Sequence, residues 1–151
     1  MMANAELEEV CDRSESLIDR LVEVWQSSVE AAHSFLIAQA ILEIKEYVPQ
    51  ALAHVPILII AKSAADELVG FMGIDGDTLE MLFVADGFRG RGIGKQLLRT
   101  GVDQYGVRRL AVNEHNPDAR KFYERMGFVV AGRTDLDEQG NPYPLLLMSL
   151  E

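Results

Sequence analysis

Leu79-Glu-Met-Leu-Phe-Val-Ala-Asp-Gly-Phe-Arg-Gly-Arg-Gly-Ile-Gly-Lys-Gln-Leu-Leu-Arg99 runs from an apolar strand into three alternating glycines set among basic residues, and a helix begins at once. That order builds a cradle of backbone N–H groups at a helix N-terminus, where a phosphate or diphosphate is held without a dedicated side chain. Spacing separates the glycine-rich motifs that compete for this stretch. A P-loop fails twice, because Arg89 stands where its first glycine belongs and Gln96 where Ser or Thr must follow the Gly-Lys pair. A dinucleotide fingerprint fails in both registers, since its third glycine falls on Lys95 or on Leu97. An ordinary loop into a helix explains one glycine well and three alternating ones poorly.

The flanking sequence says what this segment is built into. Upstream, an apolar run at residues 56–61, a polar turn, a strand at 68–74, the tight turn Asp75-Gly76-Asp77 and a strand at 79–84 predict an antiparallel meander. Downstream, Ile93, Leu97, Leu98, Val102 and Tyr105 make one apolar stripe at helical spacing. A strand follows at 109–113. Asn116-Pro117 then opens a helix with a favoured cap and first-turn proline, and Gly127 closes it. Residues 128–134 and about 143–149 read as a last pair of strands.

At the other end of the chain a short strand is expected near residues 8–11. Leu17, Ile18, Leu21, Val22, Trp25 and Val29 predict a helix capped by Ser14 or Ser16. A second helix is expected over about 35–48, stopped by Pro49. The alternation of strands and helices implies an α+β domain, a mixed sheet covered by helices, occupying residues 1–151 as one unit.

Composition narrows the partners. Hydrophobic residues at 48% and charged ones at 25% are ordinary for a soluble globular protein. The longest apolar run, at 55–61, is too short to span a bilayer, and the acidic N-terminus lacks the regions of a signal peptide. With a single cysteine, Cys11, no internal disulfide is expected, and the cytoplasm is the default compartment. A net charge of −10 argues against nucleic acid as a partner and mildly favours cationic substrates such as amines. Against that background Arg89, Arg91, Lys95, Arg99, Arg108 and Arg109 cluster around the glycines with only Asp103 opposing them. No His, Cys and carboxylate group has metal-ligand spacing, so no metal is expected.

The pattern Arg89-Gly90-Arg91-Gly92-Ile93-Gly94, straight after a strand, resembles the acetyl-CoA diphosphate loop of the GCN5-related N-acetyltransferase (GNAT) superfamily. A second segment agrees. Asn113-Glu-His-Asn116-Pro-Asp-Ala-Arg-Lys-Phe-Tyr123-Glu-Arg-Met-Gly-Phe128 resembles the family's Asn…Ala…Phe-Tyr…Gly-Phe signature. Val29-Glu-Ala-Ala-His33-Ser-Phe35-Leu and Gly140-Asn-Pro-Tyr143-Pro-Leu-Leu further resemble a bacterial subgroup of small, single-domain members. The resemblance implies a mostly antiparallel central sheet of about six to seven strands with helices on both faces. It also implies direct transfer of acetyl from acetyl-CoA to a primary amine in a ternary complex. The acceptor class stays open: a protein lysine or N-terminus, or a small amine. A non-catalytic acyl-CoA-binding or regulatory protein that kept the fold is the alternative. A monomer or homodimer is expected.

The resemblance also assigns roles. The main chain of Gly90, Arg91, Gly92, Ile93, Gly94 and Lys95 would wrap the diphosphate, with Arg89 the preferred charged contact. Leu82, Phe83 and Val84 would hold the pantetheine amides by strand-like bonds and offer an N–H to the thioester oxygen. Glu80 is the candidate base, although a Glu near a strand start also serves as a solvent-facing residue. Tyr123 matches the family's acid for the leaving thiolate, and a phenol suits that role. Asn116 lies two helical turns before it on the same face and would bond the pantetheine arm while capping its helix. His33, Phe35, Asn113 and Tyr143 are the acceptor-side candidates.

Overall fold

The structure, a computed structural model, describes residues 5–32, 38–138 and 140–150. Strand β1 (Glu6–Glu9) leads to helix α1 (Glu15–Ala32). Ser14 starts that helix, its Oγ accepting the Leu17 N–H at 3.1 Å. Helix α2 (Ala38–Lys45) and helix α3 (Val48–His54) follow. Here the structure departs from the expected single helix ending at Pro49. Pro49 sits in the first turn of α3, where its missing N–H has no intrahelical partner to lose. The residue that bars one helix opens the next. Arg13 then holds the far end of α3, its guanidinium donating to the Leu52 and Val55 carbonyls at 2.9 and 2.5 Å.

Strands β2 (Ile57–Lys62), β3 (Leu68–Asp75) and β4 (Thr78–Val84) form the expected antiparallel meander. A single 3-10 turn, Asp86–Phe88, joins β4 to the glycine loop and helix α4 (Ile93–Tyr105). Then come β5 (Arg109–Asn113), α5 (Pro117–Arg125), β6 (Phe128–Thr134) and β7 (Leu145–Leu150). All seven strands make one sheet, in the order β1-β2-β3-β4-β5-β7-β6. Every neighbouring pair is antiparallel except β4 and β5.

Strand alternation sends successive side chains to opposite faces, so the sheet carries a core on each side. Ile59, Ala61, Met72, Leu110 and Met148 pack with Ile93, Leu97 and Leu98 of α4. Leu58, Ile60 and Phe71 pack with Leu21, Trp25 and Val29 of α1 and Leu52 of α3. Leu21, Leu52, Leu97 and Leu98 are fully buried, so both helical layers are pinned by the hydrophobic effect rather than by propensity alone.

The parallel pair is what shapes the site. β4 and β5 are in register only at Thr78↔Arg109 and Leu79↔Leu110. Their joint is clamped by the Arg108 and Arg109 N–H groups, which donate to the Asp77 carbonyl at 2.8 and 3.2 Å. The Arg109–Asp77 ion pair at 3.1 Å reinforces it. Beyond that point the strands part. β5 continues along β7 through all five of its residues, whereas β4 stays with β3. The β3–β4 ladder jumps from Ile74↔Leu79 to Gly73↔Met81, which leaves Glu80 as an inserted residue in a β-bulge. A bulge bends and twists its strand, and here it sits where β4 leaves β5.

Candidate active site

The wedge between the parted strands is a cleft of about 520 Å³. Residues 79–84 of β4 form one wall and residues 110–113 of β5 the other. Phe88, Arg89, Gly90 and residues 92–95 close it at the loop, α5 contributes Ala119, Phe122 and Tyr123, and Ser28 reaches it from α1. From Glu80 onward the β5-facing edge of β4 has no strand partner among the described residues, so its amide groups face the cleft. Such an edge takes up an extended chain of amides by strand-like pairing.

The glycine loop has the conformation that the sequence demands. Gly90 and Gly92 adopt φ of +76° and +84°, a region where an L side chain is strained. Gly92 is the N-cap of α4, and no side chain caps the helix. The first N–H groups of α4 are therefore left for a ligand, and the helix dipole favours an anion there. The Ser27 hydroxyl accepts the Asp86 N–H at 2.9 Å and fastens the entry to the loop onto α1. Arg89 and Lys95 border the cleft, while Arg91 is not among its lining residues and lies 5.1 Å over the Phe88 ring. Ile93 is buried in the core under α4, so it faces a ligand only through its main chain.

On the facing helix Asn116 is buried and caps α5, its Oδ1 accepting the Ala119 N–H at 3.2 Å. Tyr123 is half-buried, in edge contact with Phe122 and Phe128 at ring separations of 5.2 and 6.1 Å. Desolvation of its hydroxyl pushes the phenol pKa well up, so the side chain is a proton donor throughout the neutral range. Leu82 and Val84 pack toward the α4 side of the sheet and Phe83 toward α1, where its ring lies 5.6 Å from Phe71.

Glu80 projects from the bulge into the cleft. Partial burial first, then the charges of Glu138 and Asp75, hold its carboxyl above the ordinary range. A carboxylate raised in this way is a better base. Asn113 lines the cleft, and its Oδ1 accepts the His115 N–H at 2.9 Å. Tyr143 is half-buried in the β6–β7 connection, its N–H donating to Asn141 at 2.8 Å, and it does not line the cleft. His33 and Phe35 lie outside the described residues.

Three members of this neighbourhood escaped the sequence reading. Glu138 reaches Glu80 only through the folding of a distant turn, and nothing local marks it, whereas Asp75 lies just across the β3–β4 hairpin turn from Glu80. Ser28 did leave a signal, since it falls in the buried stripe of α1 three residues after Trp25. Among the described residues no group of three or more His, Cys, Asp or Glu side chains is placed to hold a metal ion, and no helix is long and apolar enough to cross a membrane.

Known proteins share both the sequence and the fold. Residues 55–130 match the acetyltransferase (GNAT) domain family. The chain is 40% identical over 128 residues to the peptidyl-lysine N-acetyltransferase YjaB of Salmonella typhimurium, covering 85% of this chain and 88% of that one. The solution structure of apo YjaB from Escherichia coli superposes with a TM-score of 0.85 at 33% identity, over 97% of each chain. A more distant N-acetyltransferase, PaiA from Thermoplasma acidophilum in complex with coenzyme A, shares the fold with a TM-score of 0.64 at 20% identity, over 97% of this chain and 99% of that one. With its split sheet, its glycine loop and these relatives, the chain belongs to the GNAT acetyltransferase family.

Proposed function

We propose that this N-acetyltransferase carries acetyl from acetyl-CoA directly to the side-chain amine of a protein lysine, both substrates being bound together in the cleft. The observation that carries the reading is the open wedge between β4 and β5, with an uncapped glycine loop beside it and Glu80 and Tyr123 on its walls. The loop fits the diphosphate of coenzyme A by its N–H groups and by Arg89 and Lys95. The free edge of β4 fits the two amides of pantetheine. The lysine acceptor is supported by the relatives named peptidyl-lysine N-acetyltransferase in two enteric bacteria and by the net charge of −10.

Bound acetyl-CoA supplies an acetyl group already activated as a thioester. The protein's part is proton handling and placement. A lysine amine with pKa near 10.4 is neutral at pH 7 in about one molecule in 10³, a cost of roughly 4–5 kcal/mol. Glu80 takes that proton, directly or through one water. The nitrogen forms its bond to the carbonyl carbon as the carbon–sulfur bond breaks. A main-chain N–H within residues 82–84 faces the charge that develops on the carbonyl oxygen. Tyr123 gives its proton to the departing thiolate, and the second proton that the nitrogen must shed to become an amide passes through water to restore the phenol. Cys11 is exposed and free, which suits a reducing cytoplasm.

The test is release of free thiol from acetyl-CoA in the presence of lysine peptides, polyamines and aminoglycosides, with products identified by mass. Lysine peptides acetylated on the side chain are expected. Turnover confined to small amines would replace the acceptor, and no thiol with any amine would end the reading.

A further inference from the structure

Two polar side chains are more than nine-tenths buried among the described residues, Ser28 and Asn116, each 7% exposed, and both line the cleft. Asn116 is explained by the helix it caps. Ser28 is not explained by the fold. Its hydroxyl has no hydrogen-bond partner among the described residues, although it stands in the apolar stripe of α1 between Trp25 and Val29. A buried hydroxyl without a partner is destabilising, and alanine at a helix interior is both smaller and more favourable. The fold alone would do better without this oxygen.

Its place in the cleft identifies the missing partner. The glycine loop, α4 and Tyr123 belong to one face of the sheet, packed with Leu82 and Val84. Helix α1 lies on the other, packed with Met81 and Phe83. A donor held by the loop enters the wedge from the α4 face, and the nucleophile has to meet its carbonyl from the opposite side. Ser28 is the polar group that α1 presents to the cleft on that side.

We propose that Ser28 Oγ is an acceptor-binding group: it accepts a hydrogen bond from an N–H of the primary amine substrate and turns the nitrogen lone pair toward the thioester carbonyl. A hydroxyl accepts through either lone pair and donates its own hydrogen elsewhere, so it fits a neutral amine as well as an ammonium. This inference rests on the acetyl-transfer reading above.

Ser28→Ala tests it, with a lysine peptide and acetyl-CoA as substrates. The expected result is a roughly tenfold rise in KM for the peptide, the loss of about one hydrogen bond. The Kd for acetyl-CoA should be unchanged, and the unfolding midpoint unchanged or raised. A KM for the peptide equal to wild type overturns the proposal. So does a fall in kcat at constant peptide KM, which would place the hydroxyl on the thioester instead. A lowered midpoint with all kinetic constants intact would give Ser28 a purely structural role. Thiol release by the wild-type protein is measured first: its absence removes the transfer reading and this inference together, while its presence with an unaltered Ser28→Ala removes this inference alone.

Discussion

The proton-transfer roles proposed for Tyr123 and Glu80 make separable demands on kinetics. Burial holds the Tyr123 phenol protonated, so Tyr123→Phe removes a donor and little else from the ring's contacts with Phe122 and Phe128. We expect kcat to fall by roughly 10²–10⁴-fold, the usual worth of a positioned acid, with the calorimetric Kd for acetyl-CoA unchanged. Equal losses in both would make Tyr123 a packing residue. For Glu80 the prediction concerns pH. Its carboxyl is raised by partial burial and by Glu138 and Asp75, so the acid limb of kcat/KM should lie above the ordinary glutamate range. Removing a neighbouring negative charge makes the ionised form easier to reach. Glu138→Gln should therefore move that limb to lower pH, and Glu80→Gln should abolish it. A limb insensitive to both changes would take the base role from Glu80. Tyr123 was legible in the sequence because it stands inside a dense local signature. The coupling of Glu138 to Glu80 was not, because a charge pair made by a far turn leaves no trace in either neighbourhood.

Among helices, strands and loops, the glycine loop carries the sharpest expectation. Gly92 combines a φ of +84° with the N-cap of α4, and alanine there costs roughly 1–2 kcal/mol of stability on backbone grounds, measurable by urea unfolding. Gly94 has no such constraint, since a Cβ would meet only Phe122 and Val84, both at an ordinary 3.7 Å. Gly94→Ala should thus leave stability unchanged or slightly higher. A destabilisation of Gly94→Ala as large as that of Gly92→Ala would refute this division of labour. The meander, α4, β5 and α5 were readable because each has a clean apolar period and a marked end. The α2–α3 break was not, because Pro49 ends one helix and begins another with the same chemistry. The bulge at Glu80 was hidden as well: Leu79-Glu80-Met81-Leu82 keeps its strand-like composition whether or not a residue is inserted in the ladder.

Across the molecule, the decisive feature is a sheet that opens along one seam. The order of strands and helices, their mixed sheet and the covering of both faces followed from sequence pattern and family likeness. The seam itself is non-local. It arises because β5 spends its length on β7, the last strand of the chain, while β4 remains bonded to β3. Two pairs of residues hold the halves together at Thr78–Arg109 and Leu79–Leu110, and everything beyond them is free to receive a ligand. Titration of the labelled protein with acetyl-CoA, followed through its backbone amide resonances, examines that conclusion at its root. The amides of Gly90 and Gly92 and residues 93–95, together with residues 82–84, should shift most and saturate in step. Saturating shifts centred away from the loop and the β4 edge, or none at all, would contradict the assignment of this seam to coenzyme A.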